Sequence, residues 1–316
     1  MRATGQPIPA GTRRTASGPR RSPRPVPTRL TDPRPLSAEQ HGGGPPVVLL
    51  HGQPGSVADW HAVWPLLPDF TVVVPDRLGY GRTGGAAAGF QENATSLVTL
   101  LDELGLKRAV VAGHSWGGGV ALAFAESFPH RTAGLVLAAS VGPGEQFGWD
   151  DRVLAAPILG EALSALTLGA AGRLLRSARV QTLADRRLGG RAREAVNVLI
   201  GMTGARTHAA VWRSFVTEQR VLLRELEALG PGLATIGTPT AVINGSADRV
   251  ISPLVADRLA AAIPGAVHTV VAGAHHLLPH EHPHALAGAI RQVAERPWPS
   301  PAGQHLDGEE AAHRES

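Results

Sequence analysis

The 316-residue chain contains no cysteine, which excludes a disulfide framework, a zinc–thiolate site and a cysteine nucleophile. Lysine occurs once, at Lys107, so nearly all positive charge is arginine; this reads as compositional bias rather than function. Tyrosine also occurs once, at Tyr80. After the arginine pairs near the amino end there is no apolar run of signal-peptide length. Export through a signal is therefore not expected, and a cytoplasmic protein is. The segment Val153–Gly172 has one charge, Glu161, and approaches the length of a membrane span. Its Pro157, Gly160 and many alanines suit short buried helices better, so no span is expected.

The basic balance is local. Residues 1–35 carry eight arginines against Asp32, a net +7, and the whole chain is +4, so the remainder is −3. A mildly acidic globular part gives no reason to expect nucleic acid as a partner. Residues 1–40 are rich in Pro, Arg, Gly, Ser and Thr without periodicity and read as a disordered leader; residues 297–316 read as a disordered polar tail.

Between them, apolar runs alternate with helical spacing. Val47–Leu50, Phe70–Val74, Ala109–Ala112 and Gly134–Ala139 are short aliphatic runs bounded by Gly, Pro or polar turns. They suit strands covered on both faces. Helices are expected over Asp59–Leu67, Glu92–Leu104 and the stretch from Trp116 to Phe128. After Val141 the pattern is helical to about residue 237, with clear pieces at Val153–Gly172 and Arg213–Leu229. It then returns as strand Pro239–Gly245, helix Pro253–Ala262, strand Val267–Val271 and helix His282–Val293. This predicts an α/β fold with a doubly wound, mostly parallel sheet. The core would span residues 41–141 and 238–296, with residues 142–237 a helical cap over the strand ends, where ligands bind in such sheets. No hairpin is evident in residues 28–43.

Gly113-His114-Ser115-Trp116-Gly117 stands between an apolar strand and a small-residue helix. That is the pattern of a nucleophile elbow, a sharp turn that exposes one side chain at the end of the sheet. Ser115 is the candidate nucleophile. Serine needs a base, and the base needs a group to hold its tautomer. Asp248 follows the strand that ends at Gly245 and is the candidate acid. The loop after the last strand offers two histidines, His275 and His276, of which one can be the base. The tetrahedral oxyanion needs two N–H donors; those of Gln53, after the first buried strand, and Trp116, after the nucleophile, are expected. His51 reads as a structural histidine bonded to nearby backbone. His280, His282 and His284 read as surface imidazoles at a helix start. No acidic or cysteine pattern accompanies them, so no metal site and no cofactor are expected.

Several motifs, in this order and spacing, resemble the α/β-hydrolase superfamily over residues 44–294: His51-Gly52-Gln53-Pro54-Gly55, Asp76-Arg77-Leu78-Gly79-Tyr80-Gly81-Arg82-Thr83, the elbow, Gly245-Ser246-Ala247-Asp248 and Gly273-Ala274-His275-His276. The resemblance implies Ser115 as nucleophile, Asp248 as orienting acid, and Gln53 and Trp116 as oxyanion-hole donors. It also implies His276 as base, because Glu281 and Pro283 lie five and seven residues beyond it, at the family's usual offsets. His275 stands where the family usually has glycine. The early motifs are similar to those of the epoxide hydrolase and haloalkane dehalogenase branch. Those enzymes use an aspartate nucleophile, and the epoxide hydrolases use cap tyrosines; this chain has Ser115, and its one tyrosine lies outside the cap. The resemblance thus implies a serine hydrolase acting on an ester or related acyl compound, and the Ala- and Leu-rich cap predicts a mainly apolar acyl or alcohol pocket. Perhydrolysis, carbon–carbon bond hydrolysis and cyanohydrin cleavage on the same residues are the alternatives, and a non-catalytic ligand-binding protein is a third possibility. The substrate and the oligomeric state are not legible.

Overall fold

A computed structural model describes residues 34–145, 177 and 208–296. Seven strands form one sheet in the order β1-β3-β2-β4-β5-β6-β7. They are β1 (Ala38–His41), β2 (Pro46–Leu50), β3 (Thr71–Pro75), β4 (Ala109–His114), β5 (Thr132–Ala138), β6 (Thr240–Gly245) and β7 (Val267–Val271). β1 is antiparallel to β3, and every other neighbouring pair is parallel. Among the described residues the α-helices are α1 (Phe90–Glu103), α2 (Trp116–Ser127), α3 (His208–Glu225), α4 (Pro253–Ala262), α5 (Leu278–Glu281) and α6 (Pro283–Ala294).

The aliphatic runs are continuous because both faces of the sheet are covered. Along β2, Val48 and Leu50 join a core with α1, α2 and α4 through Leu97, Val120 and Leu259. Val47 and Leu49 point the other way, into a core with Trp60, Leu286 and Ile290. The period-two alternation of strand side chains thus divides one apolar sequence between two layers.

Chain order and strand order diverge at β2. β3 lies to one side of it and β4 to the other, so the carboxyl ends of β2 and β4 flank the switch point where open α/β sheets bind ligands. The loops holding Gln53 and Ser115 leave from these two ends.

Four expectations need correction. The leader does not run to residue 40: β1 begins at Ala38, and Leu36 is already buried. This strand pairs with β3, Glu39 opposite Val74, and its four residues carry no strand pattern. The helix expected over Asp59–Leu67 is instead two 3₁₀ turns, Val57–Trp60 and Trp64–Leu66; Pro65 has no N–H to donate to a continuous α-helix. The piece expected over Arg213–Leu229 starts earlier and ends at Glu225, and a 3₁₀ run over Leu226–Thr235 follows, with Pro231 inside it. Before α6 stands the separate one-turn α5, because Pro283 ends one helix and opens the next.

Of the expected cap, the piece Val153–Gly172 lies outside the described residues, as do the chain up to residue 33 and the tail from 297. Among the described residues, no helix is long and apolar enough to cross a membrane.

Candidate active site

Ser115 sits between β4 and α2 at φ 53°, ψ −121°, a left-handed backbone that costs a non-glycine residue about 1–3 kcal/mol. The surrounding glycines permit it. A Cβ on Gly113 would lie 2.2 Å from Gly117 O, and one on Gly117 would lie 2.5 Å from Leu50 O and His51 O. Helix α2 therefore packs against the ends of β2 and β4 with no room for side chains. Backbone bonds hold the turn: Ser115 N–H donates to Ala138 O at 2.9 Å, and Ser115 O accepts from Gly118 N–H at 2.9 Å.

His276 Nε2 lies 3.0 Å from Ser115 Oγ, and its Nδ1 lies 2.9 Å from Asp248 Oδ2. A carboxylate only accepts, so Nδ1 carries the proton and Nε2 is free to accept from the serine hydroxyl. Asp248 leaves the turn after β6. Its other oxygen accepts from Val250 N–H at 2.8 Å and Ile251 N–H at 3.0 Å. Burial pushes the Asp248 carboxyl up, but the hydrogen bond and charge of His276 and the two backbone donors outweigh it, and the carboxyl is held below its ordinary value.

The loop carrying His276 is pinned from two sides. His114 Nε2–H donates to His276 O at 2.9 Å. Burial and the nearby His276 lower His114 to about 3, so it remains neutral. Glu281 accepts from His275 N–H at 3.1 Å, which leaves the His275 ring outside the site. The structure thus brings His276 to Ser115 and keeps His275 away. His280 is not at the surface as expected. It is buried, its Nε2 3.8 Å from Asp59 Oδ1, because α5 packs back against the first 3₁₀ turn. Among the described residues, no three His, Cys, Asp or Glu side chains are placed to hold a metal ion.

The loop after β2 packs on the nucleophile: a Cβ on Gly52 would lie 3.2 Å from Ser115 Cβ. The backbone N–H groups of Gln53 and Trp116 have no acceptor among the described residues. Asp76 ties this loop to the next one. It accepts from Val57 N–H at 3.0 Å and from Arg82 N–H at 2.8 Å. Gly81, at φ +48°, lies against that carboxylate, where a Cβ would come within 2.1 Å of Asp76 Oδ2. His51 does what a structural histidine does: its Nε2 accepts from Arg77 N–H at 3.0 Å, so Nδ1–H donates to Gly52 O at 2.9 Å. Burial and the Arg77 charge lower its pKa.

Sequence reasoning missed the side chains around Arg77. This buried guanidinium donates to His51 O, Gly52 O and Glu218, and it stacks on the Trp116 ring 4.4 Å from the centroid. Tyr80 Oη donates to the other Glu218 oxygen at 2.7 Å. Glu218 belongs to α3, which also meets the core through Gln53 Nε2 donating to Phe215 O and Ser214 Oγ donating to Gly79 O, both at 2.7 Å. The signal was an acid on the buried stripe of an amphipathic helix. Glu218 shares that face with Ser214, Val221 and Leu222, and such an acid requires a buried partner.

The family model for the alpha/beta hydrolase fold matches residues 45–283. The chain is 30% identical over 261 residues to haloalkane dehalogenase 2 of Mycobacterium tuberculosis, covering 79% of this chain and 87% of that one. It is 43% identical over 108 residues to the 2-hydroxy-6-oxo-2,4-heptadienoate hydrolase of Pseudomonas putida, covering 32% of this chain and 39% of that one. Among solved structures, Est816, an N-acyl homoserine lactone degrading enzyme, aligns with a TM-score of 0.62 at 26% identity, covering 81% of this chain and 96% of the other.

Proposed function

The chain belongs to the α/β-hydrolase family, and from that premise we propose that it is a serine hydrolase cleaving an ester or related acyl bond through an acyl-enzyme. The observation that carries this reading is the unbroken chain Ser115 Oγ–His276–Asp248, with contacts of 3.0 and 2.9 Å. Ser115 Oγ attacks the carbonyl carbon while His276 Nε2 takes its proton. Asp248 holds the Nδ1–H and stabilises the imidazolium that forms. The N–H groups of Gln53 and Trp116 receive the oxyanion. The tetrahedral species collapses, the C–O bond to the leaving alcohol breaks, and His276 gives the proton to the departing oxygen. Water then attacks the acyl-serine with His276 again as base, and the proton returns to Ser115 Oγ.

The likeness to a haloalkane dehalogenase does not carry over as a reaction. Displacement of halide by Ser115 Oγ would leave an alkyl ether, which has no carbonyl for water to attack, and turnover would stop after one event. An acyl-serine has that carbonyl. The identity to the heptadienoate hydrolase favours one second reading. A hydroxy-oxo-dienoate has no ester bond, so its hydrolysis cleaves a carbon–carbon bond next to a carbonyl, and the same residues could serve that cleavage.

The deciding experiment is steady-state hydrolysis of p-nitrophenyl esters of increasing acyl length by wild type and Ser115→Ala. Wild-type turnover is expected, with kcat falling at least about 10³-fold in the variant. The chain-length optimum sizes the acyl site. Folded wild type that turns over no ester but cleaves a vinylogous 1,5-diketone would move the assignment to the second reading.

A further inference from the structure

We propose that the buried Arg77–Glu218 pair, resting on the serine-hydrolase reading above, is a positioning device through which helix α3 sets the geometry of the oxyanion hole. Gly52 C=O and Gln53 N–H belong to the same peptide unit and point in opposite directions. Arg77 Nη2 donates to Gly52 O at 2.7 Å, and its Nε donates to His51 O at 2.8 Å. One guanidinium thus holds this plane at Gly52 O and the preceding peptide at His51 O, and His51 Nδ1–H, 2.9 Å from the same Gly52 O, is the second donor that sets the tilt presenting the Gln53 N–H. A cationic donor on the carbonyl also polarises the amide on its far side, making Gln53 N–H a stronger donor.

The same guanidinium stacks on Trp116, whose backbone N–H is the second expected donor. One buried cation therefore touches the supports of both donors. Arg77 could not hold this position alone, since an unpaired buried charge is too costly. Glu218 balances it from α3, and Tyr80 Oη, 2.7 Å away, completes the carboxylate's partners. Gln53 itself reaches α3, donating to Phe215 O one turn before Glu218. Seating α3 on the core and shaping the oxyanion hole thus become one event. Arg77, Glu218 and Tyr80 touch no reacting atom; they act through Gln53 and Trp116.

The test uses the full chain with Glu218→Ala, Glu218→Gln and Tyr80→Phe. Amide exchange is read by mass spectrometry on the peptide spanning residues 50–58. In parallel, kcat and KM are measured on p-nitrophenyl esters, together with the rate of Ser115 labelling by a fluorophosphonate. For Glu218→Ala, exchange of the loop is expected to rise about tenfold while the β4 peptide is unchanged. Its kcat and labelling rate are expected to fall about 10–100-fold with KM within about twofold, as for a displaced oxyanion donor. Glu218→Gln, which keeps one acceptor, should recover part of the loss, and Tyr80→Phe should lose only about two- to fivefold. If Glu218→Ala does not fold, the two milder variants decide. Unchanged loop exchange in the folded variants, a loosened loop with wild-type kcat, or a loss entirely in KM overturns the proposal. A wild type inert to both ester and fluorophosphonate fails the serine-hydrolase reading itself and takes this inference with it. An active wild type matched by all three variants fails the inference alone.

Discussion

Ser115, Asp248 and His276 each leave the carboxyl end of a strand of one sheet, in turns whose shape is dictated locally. Arg77, Glu218 and Tyr80 meet by another route: a loop after β3 and a helix 141 residues further along the chain converge on one buried charge pair. In the first group the backbone is held by N–H donors and by glycines that admit no side chain, as at Gly113 and Gly117. In the second it is held by side chains paired across the interface between α3 and the core. The two groups should therefore fail differently. The first presents reactive atoms on a scaffold that does not depend on them; the second is itself scaffold. Substitutions in the first should cost activity with little stability, and substitutions in the second should cost both.

The largest expected effect is Asp248→Asn. The amide can still accept from Val250 and Ile251 N–H, so the turn survives, but it offers no charge to the imidazolium and favours the wrong tautomer of His276. A fall in kcat of about 10³–10⁴-fold, about 4–5 kcal/mol, is expected with KM little changed, alongside a denaturant midpoint close to wild type. A large loss of stability with modest loss of kcat would erase the distinction between the two groups. Next is Glu218→Ala read by denaturant unfolding. Removing one partner of a buried pair strands the other, and a loss of about 3–5 kcal/mol is expected. A stability close to wild type would show that Arg77 finds another partner and that α3 is not seated by this contact.

The same contrast explains what the sequence discloses. The aliphatic runs, Gly105 after α1, Ser252 with Pro253 at the start of α4, and the spacing of Ser115, Asp248 and His276 are all local or periodic features. Each states its backbone conformation in neighbouring residues. β1 states nothing of the kind. Its four residues, Ala-Glu-Gln-His, have no strand preference and are extended only because the β3 backbone needs a partner. Pro65 was visible, but whether it bends a helix or replaces it with two 3₁₀ turns depends on what packs beneath. His280 reads as polar surface until α5 folds it onto Asp59. Glu218 was the recoverable miss, since its place on the apolar stripe of α3 announces a buried cation. Which cation it is depends on a contact far along the chain, and Arg77 lies in a motif that reads as loop.

The smallest expected effect sharpens the comparison at the edge of the second region, by setting Glu218 of α3 against a glutamate that faces the 3₁₀ run following it. Glu218 has Arg77 and Tyr80. Glu126, on α2, sits so close under the 3₁₀ run that a Cβ on Gly232 would come 2.4 Å from its carboxyl carbon. Its buried Oε1 has no hydrogen-bond partner among the described residues. Desolvation without compensation pushes its pKa from an ordinary 4.5 to about 7. Because the folded-state value is raised, the folded chain binds this proton more tightly than the unfolded chain. The associated stability is complete below about pH 4.5 and is lost as pH rises through about 7. Glu126→Gln, neutral at every pH, should remove that slope. Since the side chain is partly solvated, the gain at pH 8 is set at about 1 kcal/mol, or about 2–4 °C in Tm. Little difference is expected at pH 5. Parallel thermal melts of wild type and variant across pH 5 to 8 read it directly. Equal slopes would mean that the glutamate ionises without cost. The lack of a partner would then not be what sets this half-buried glutamate apart from the fully buried Glu218.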